Sequence, residues 1–420
     1  MGVKARSQPL PGHQITVDEQ HRLEVDGLLP AKVIRPLDAE DAARALRLCD
    51  RSEASVLVFG GATQMRLGSP PRRYDLALCT ERMTQLLEYE PADLTCRVQA
   101  GMTLAELQRT LREQGQRLPL DPPRPERATV GGMVAANTSG LSRARYGTVR
   151  DWVIGIAVAY PSGKVARAGG KVVKNVAGYD LMKLHTGALG TLGVVAEVNL
   201  KIQALPEATA TVLGHFEAAV SAIEAGARLA RGYLAPAASI VVNRGALWAC
   251  GLTADWNWTL GLKLEGYRRE VDAARELAAK EIQAAGGRTE AQEGVDSFWA
   301  KARDWSAPSD NVAVLRAILP ITATSAISAA MAGDAQAMIQ PAAGIVEVLL
   351  SSSAALAGLK RLRAAAPPES QVLVASAPGD LKRSLDVWGP PPPGFALMGA
   401  LKQSLDPNGI LNPGRFVGGI

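Results

Sequence analysis

Three segments in the first half of the chain carry almost no side-chain bulk, and they limit the possible folds more than any other feature. They are Val58-Phe59-Gly60-Gly61-Ala62-Thr63-Gln64, Ala128-Thr129-Val130-Gly131-Gly132-Met133-Val134-Ala135-Ala136-Asn137 and Gly187-Ala188-Leu189-Gly190-Thr191-Leu192-Gly193-Val194. Each supplies a turn where bare backbone approaches a neighbour or a bulky ligand. The histidines are His13, His21, His185 and His215, and none follows position 215. A first half suited to holding a ligand is therefore followed, past position 215, by some two hundred residues with no imidazole to take a proton near neutral pH.

A chain of 420 residues exceeds one small core and predicts two domains or one large one. With 47% hydrophobic and 21% charged residues it falls in the soluble globular class. The formal charge of +5 is mild, and lysine and arginine are dispersed. That argues against a nucleic-acid partner and leaves a few cations to meet an anionic ligand. Cys49, Cys79, Cys96 and Cys250 form no CxxC pair, so no zinc or iron–sulfur site is legible. They read as reduced, buried thiols of a cytoplasmic protein. Met1 to Gln14 is basic but has no apolar stretch behind it, unlike a secretory signal. No apolar run reaches the length of a membrane span, so any membrane attachment is expected to be peripheral, on the inner face and through partners.

The local pattern predicts α/β structure to about residue 205. Val33-Ile34-Arg35-Pro36 reads as a strand end, and Asp38 caps a helix to Ser52 with Ala42, Ala45, Leu46 and Cys49 inward. Ser55–Phe59, Asp75–Leu78, Thr95–Ala100, Trp152–Tyr160 and Thr191–Ile202 read as strands. Thr103 with Glu106 forms a capping box for a helix to Gln114, and Pro161-Ser162-Gly163-Lys164 is a hairpin turn. Beyond Pro206, alanine-rich helices alternate with short strands. Glu217–Arg231 and Arg268–Ala285 read as helices, the second with Val271, Ala274, Leu277, Ala278 and Ile282 on its stripe. Ser239–Asn243, Leu247–Leu252, Asn311–Ile318 and Val346–Leu350 read as strands of an antiparallel sheet. Pro390–Pro393 is a stiff linker, Phe395–Leu405 a short helix, and the turn-rich tail from Asp406 is expected to pack back on the first domain.

Consecutive glycines after a strand let backbone N–H groups converge on an anion such as a pyrophosphate, and Thr63 adds a hydroxyl. The same pattern also serves as a plain turn. It is neither the G-x-G-x-x-G fingerprint nor a phosphate-binding P-loop. Asp121-Pro122-Pro123 leads into the second segment and on to Thr138-Ser139-Gly140, where small residues permit either tight helix–sheet packing or contact with a flat ring. In Tyr146-Gly147-Thr148-Val149-Arg150-Asp151, Arg150 has a structural role by default and a phosphate as the alternative. His185 reads as structural. Arg303, between Trp299 and Trp305, reads as a solvated face of an amphipathic helix, with a carboxylate as the alternative partner. Glu265 beside Arg268 and Arg269 reads as surface charge.

In order and wording these segments resemble the FAD-binding domain of the vanillyl-alcohol oxidase and p-cresol methylhydroxylase type, over roughly Lys32 to Leu205. The tail Asp406–Gly414 resembles the C-terminal signature of the lactate and glycolate dehydrogenase branch. Gly170-Lys171-Val172-Val173-Lys174-Asn175-Val176-Ala177-Gly178-Tyr179-Asp180-Leu181-Met182-Lys183-Leu184 is similar to the FAD-binding E subunits of bacterial glycolate oxidase. The resemblance implies an α+β fold: a two-subdomain p-cresol methylhydroxylase-type FAD-binding domain (31–205) after an N-terminal arm (1–30). A smaller α+β domain with an antiparallel sheet (206–389), a degenerate substrate domain, follows, then a returning C-terminal segment (390–420).

It also implies FAD wrapped at its pyrophosphate by Gly60, Gly61, Ala62, Thr63 and Gln64 and by the turn Thr129 to Gly132, Gly131 included, with Phe59 and Ala128 beside them as cofactor-binding residues. Asp121, Pro122, Asn137, Ser139, Gly140, Tyr146, Gly147 and Val194 would lie along the rest of the cofactor. With Ala62 and Thr63 where relatives attach flavin through histidine, the FAD is expected to be non-covalent. Catalytic relatives carry a histidine-rich metal site and a histidine base in the second half, and this chain has neither. Where they show Gly-Ser-Glu-Gly-Thr-Leu-Gly, this chain has Leu189 in place of the acid. The expectation is a glycolate oxidase subunit with no catalytic or metal-binding residues of its own, working with a homologous catalytic flavin subunit and an iron–sulfur subunit. The alternatives are a self-sufficient 2-hydroxy-acid dehydrogenase and an assembly subunit with a vestigial FAD site.

Overall fold

The computed structural model describes residues 11–170, 179–253, 255–290, 295–306, 311–330 and 335–420. Lys171 to Gly178 of the motif quoted above lie outside the described residues, as does the start of the N-terminal arm.

The first half builds two small sheets. Lys32–Ile34, Leu76–Cys79 and Val56–Phe59 form a parallel sheet with Leu76–Cys79 in the middle. The crossover helix Ala39–Arg51 is capped by Asp38, whose carboxylate accepts the Asp41 N–H at 2.7 Å. Its stripe of Ala42, Leu46 and Cys49 shares a core with Val56, Leu76, Ala159, Val194, Ile410 and Leu411. One helix and the tail thus join the parallel sheet to the second sheet. That sheet is antiparallel, in the order Leu86–Glu90, Thr95–Gln99, Val194–Lys201, Val153–Ala159, Val165–Gly169. The helices Leu104–Arg112 and Val130–Ala136 pack on it through Leu107, Leu111, Met133 and Val134.

The second half is one eight-stranded antiparallel sheet. Its order is Arg288–Thr289, Ala208–Phe216, Trp258–Gly266, Ala238–Asn243, Gln336–Gln340, Ile345–Ser351, Val312–Ile318, Gln371–Ser376. Helices Ala219–Arg231, Arg268–Ala284 and Ala355–Ala365 bury their apolar stripes on one face. The other face meets the first half: Leu141 packs with Leu213 and Ile240, and Leu67 with Val314 and Leu373. Two layers of this kind let each element bury its single apolar side. The fold is mixed α+β.

Several local expectations change. Leu247–Leu252 is not a strand. Arg244–Ala249 is a helix, capped by the Asn243 side chain on the Ala246 N–H at 3.0 Å. Leu247 and Cys250 are buried and Trp248 is exposed, a spacing of three that belongs to a helix. Trp152 closes the short helix Val149–Trp152 rather than opening a strand, because Thr148 and Asp151 form a reciprocal cap there. Leu277 lies off the buried stripe of its helix, which Val271, Ala278 and Ile282 carry. Thr191–Gly193 is turn, and the strand begins at Val194.

Candidate functional site

The first two small-residue segments are pressed together. A Cβ on Gly61 would sit 1.5 Å from the Arg127 carbonyl oxygen, and one on Gly60 would sit 2.1 Å from Thr129 Oγ1. No side chain fits at either position: Gly61 meets the Arg127 backbone, and Gly60 meets the Thr129 side chain. Thr129 caps the helix Val130–Ala136 by accepting the Gly132 N–H at 3.2 Å. Gly131 abuts Ala100. Ala62 takes a left-handed φ of 56°, which turns the loop back after the paired glycines. The loop Gly60–Gln64 stays half-exposed although the strand before it is largely buried. That combination leaves a run of bare backbone open on one side, a cradle in which N–H groups are free to meet a ligand.

Of the expected ligand contacts, Thr63, Gln64, Asn137 and Gly140 line a cleft between the two halves. The others do not line it. Phe59 stacks on Tyr74 with ring centroids 6.3 Å apart. Pro122, Ala128 and Val194 are buried. The Asp121 carboxylate accepts from Ser142 N at 3.1 Å and Ser142 Oγ at 3.0 Å. Burial raises its pKa, and the Ser142 hydrogen bonds act against that. Ser139 Oγ accepts the Val149 N–H at 3.0 Å. Gly140 (φ 86°) leaves no room for a Cβ against the Asp121 carbonyl, and Gly147 (φ 77°) crowds Asp151 in the same way. Tyr146 is drawn to the seam between the halves rather than to the cleft. Its hydroxyl lies 2.9 Å from both Glu265 Oε2 and Arg117 Nη2.

Glu265 is a correction. It lies on the strand Trp258–Gly266, not on a helix surface, and is buried between Arg117 (2.7 Å) and Lys263 (2.8 Å). Burial alone would raise its carboxyl. The hydrogen bonds and charges of Arg117 and Lys263 outweigh that and bring it down to about 2.

The tail clamps the cradle. Asn412 Oδ1 accepts the Val58 N–H at 3.0 Å, and its amide donates to the Leu189 carbonyl at 2.6 Å. One side chain thereby ties the first segment to the third. Asp406 accepts the N–H groups of Ile410 (3.0 Å) and Leu411 (2.9 Å) and pairs with Lys402 at 2.6 Å. Buried Arg415 donates to the carbonyls of Met65 (2.7 Å) and Leu67 (2.6 Å), just past the glycine loop. Lys382, also buried, donates to the Asp26 carboxylate at 2.6 Å and to the carbonyls of Arg66 and Gly68. Burial lowers Lys382 to about 8, against the pull of Asp26.

The wall opposite the cradle comes from the second sheet and was not foreseen. Arg316 and Glu347 stand directly opposite on neighbouring strands, and Arg316 grips the carboxylate at 2.8 and 2.7 Å. Gln340 and Ser376 complete this wall, with Arg124, Arg143 and Arg303 on the remaining sides. Arg303 is not simply solvated: it lines the cleft while forking onto Asp304 at 3.0 Å through two nitrogens. The available signal was the polar interruption of apolar strands, a lone Arg316 within Val312–Ile318 and a lone Glu347 within Ile345–Ser351.

No histidine lines this cleft. His185 is buried with Nε2 2.7 Å from Tyr160 Oη, and burial lowers its pKa to about 4. His215 is buried against Thr259 at 3.0 Å. His13 and His21 are exposed in the N-terminal arm. Leu189, in the place of the relatives' acid, packs beside Leu67 and adopts φ 51°. Among the described residues no group of three or more His, Cys, Asp or Glu side chains is arranged to hold a metal, and no helix is long and apolar enough to cross a membrane. All four cysteines are buried free thiols, and burial raises each to about 12.

Comparison with known proteins agrees with this architecture. Residues 30–169 match the family model "FAD binding domain", and residues 390–416 match "FAD linked oxidases, C-terminal domain". The chain is 31% identical to glycolate oxidase subunit GlcE of Escherichia coli over 399 residues, covering 88% of this chain and 99% of that protein. It is 35% identical to glycolate oxidase subunit GlcD of Bacillus subtilis over 189 residues, covering 45% of this chain and 40% of that relative's length. Among solved structures, p-cresol methylhydroxylase with substrate bound superposes with a TM-score of 0.71 at 16% identity, covering 96% of this chain and 93% of that one. The 4-ethylphenol oxidase of Gulosibacter chungangensis gives 0.68 at 17% identity, covering 93% and 90%. At such identities the likeness is one of fold. The chain therefore belongs to the family of glycolate oxidase subunit GlcE, with an FAD binding domain and the C-terminal domain of FAD linked oxidases.

Proposed function

We propose that this chain is an FAD-carrying subunit of a complex that oxidises glycolate to glyoxylate, with substrate deprotonation on a homologous flavin subunit. The cradle residues Gly60 to Gln64 and Thr129 to Gly132 would hold the pyrophosphate, and Asn137 and Gly140 would border the remainder of the cofactor. Bound flavin supplies a two-electron acceptor for alcohol oxidation. The role of this chain's residues is to grip and orient that group and keep water from it.

One observation carries the reading: among the described residues, no free base lines the cleft. Removing the hydroxyl proton of a 2-hydroxy acid needs an acceptor within hydrogen-bond reach. No histidine lines the cleft, and its lining carboxylate, Glu347, is held by Arg316. A partner then has to supply that acceptor, and the full-length likeness to GlcE is consistent with a subunit role. The third subunit would be an iron–sulfur protein passing electrons on, and the assembly would meet the membrane only peripherally, on its cytoplasmic side. The first loop offers Ala62 and Thr63 rather than a histidine, so the flavin is held without a covalent bond.

The test is a spectrum of the purified chain. A yellow preparation that releases all its flavin into the supernatant on acid precipitation is expected. Glycolate with a dye acceptor leaves it unbleached until the homologous partner is added. Bleaching by this chain alone would favour the self-sufficient dehydrogenase. A colourless chain that cannot be reconstituted would favour a vestigial site.

A further inference from the structure

The N-terminal arm is seated by a tight turn. Its helix Val17–Arg22 buries no residue. Beyond that helix, Val25 and Leu28 exchange backbone hydrogen bonds at 3.0 Å in each direction. Between them Asp26 (φ 52°) and Gly27 (φ 84°) both take the left-handed conformation. An Asp-Gly pair is what a two-residue turn of that kind favours. The turn is pressed against the second half. A Cβ on Gly379 would sit 2.7 Å from the Asp26 Cα, and Arg383 donates to the Asp26 carbonyl at 2.6 Å. Val25 is buried, and the Tyr74 hydroxyl donates to the Leu23 carbonyl at 2.9 Å.

The Asp26 carboxylate is 4% exposed and faces two buried cations: Lys382, at 2.6 Å, from the helix Gly379–Ser384, and Arg415, at 3.2 Å, from the tail. Between them these cations take five consecutive carbonyls. Arg415 donates to Met65 (2.7 Å), Leu67 (2.6 Å) and Ser69 (3.4 Å). Lys382 donates to Arg66 (3.1 Å) and Gly68 (3.2 Å). The run starts directly after Gln64 of the cradle, and the Leu67 N–H bonds back to the Gln64 carbonyl at 3.0 Å. One carboxylate thus serves two buried cations. Burial lowers the Lys382 pKa, and Arg415 and Arg66 add to that against the pull of Asp26. Without the carboxylate the two cations would stay buried and repel each other.

We infer that Asp26 is a positioning residue for the cradle. It acts from the arm through Lys382 and Arg415 to hold residues 65–69, and through them Gln64. Seating of the arm and occupancy of the cradle are then linked, and each strengthens the other by the same factor. A mere staple would add stability without responding to a ligand. The inference rests on the function proposed above for what fills the cradle, which is FAD.

Asp26→Asn isolates the charge, because Asn-Gly favours the same turn. The full chain is titrated with FAD, hydrogen exchange is read by mass spectrometry, and circular dichroism reports folding. Asp26→Asn should weaken FAD about tenfold or more, within the usual range of coupling between sites. The Leu67 and Ser69 amides should exchange faster while the strand Val56–Phe59 stays protected. In the wild type, FAD should slow exchange at Val25 and Leu28, and in Asp26→Asn it should not. Asp26→Glu, which keeps the charge, should recover part of the affinity. Lys382→Met leaves Asp26 paired with Arg415 and should weaken FAD by a smaller factor. FAD affinity unchanged in folded Asp26→Asn overturns the inference, as does exchange in the wild-type arm that ignores FAD. If Asp26→Asn does not fold, Lys382→Met decides, and unchanged affinity there overturns it. If the wild type takes up no FAD, the proposed function fails. The flavin-free chain then decides the role of Asp26: residues 65–69 as protected in Asp26→Asn as in the wild type overturn it.

Discussion

Glu265→Gln tests the seam that sets the angle of the cleft. The side chain is 2% exposed, with Oε2 on Arg117 and Tyr146 and Oε1 on Lys263. Its carboxyl lies at about 2 against an ordinary 4.5. Each pKa unit is worth about 1.4 kcal/mol, so the folded state favours the ionised form by about 3 kcal/mol. The amide keeps the shape but leaves Arg117 and Lys263 facing each other without a counter-charge. The expected loss at pH 7 is therefore about 3 kcal/mol, within the range for breaking a buried pair. The pH dependence follows from the depressed pKa. The contribution is fully present above about 4.5 and is lost as pH falls towards 2. Urea unfolding followed by circular dichroism at pH 7, 5 and 3 gives the difference between wild type and variant. The gap should be similar at pH 7 and 5 and smaller at pH 3. A gap below about 1 kcal/mol at pH 7, or one that does not narrow at pH 3, refutes the reasoning.

Two other perturbations reach the cradle and its support. Gly61→Ala puts a Cβ 1.5 Å from the Arg127 carbonyl oxygen, so the two glycine segments must separate. The variant should purify with little flavin, read from the ratio of 450 nm to 280 nm absorbance, and a full flavin complement would contradict the close approach. His185, lowered by burial to about 4 from 6.5, stays neutral in the folded chain while the unfolded chain takes up a proton. Stability should fall as pH drops from about 6.5 to 4, by up to about 3 kcal/mol from this group. His185→Phe should flatten that slope, and an unchanged slope in a folded variant would show that another group titrates there.

The small-residue segments were legible because runs of glycine and alanine are visible within a few residues, and the caps at Asp38 and Thr129 sit beside the helices they start. What crowds Gly60, Gly61 and Gly131 (Thr129, Arg127 and Ala100) lies far along the chain and was not legible. The helix Arg244–Ala249 was misread because a burial spacing of three over six residues is too short to tell from alternation. Glu265 was misread because neighbouring Arg268 and Arg269 suggested a local partner, whereas the true one, Arg117, is 148 residues away.

The amino-acid order alone showed where backbone lies bare, most of the runs that form strands, and that the tail returns to the first domain's core. These depend on side-chain size, on periods of two or 3.6 residues, and on turn chemistry, all expressed within one element. Only the folded molecule decided that Arg316 would face Glu347 and that Gln340 and Ser376 would join the wall of a cleft shared with Arg143. Register between strands and the docking of two sheets depend on contacts between residues far apart in sequence, and no local pattern encodes which distant polar group will be the neighbour.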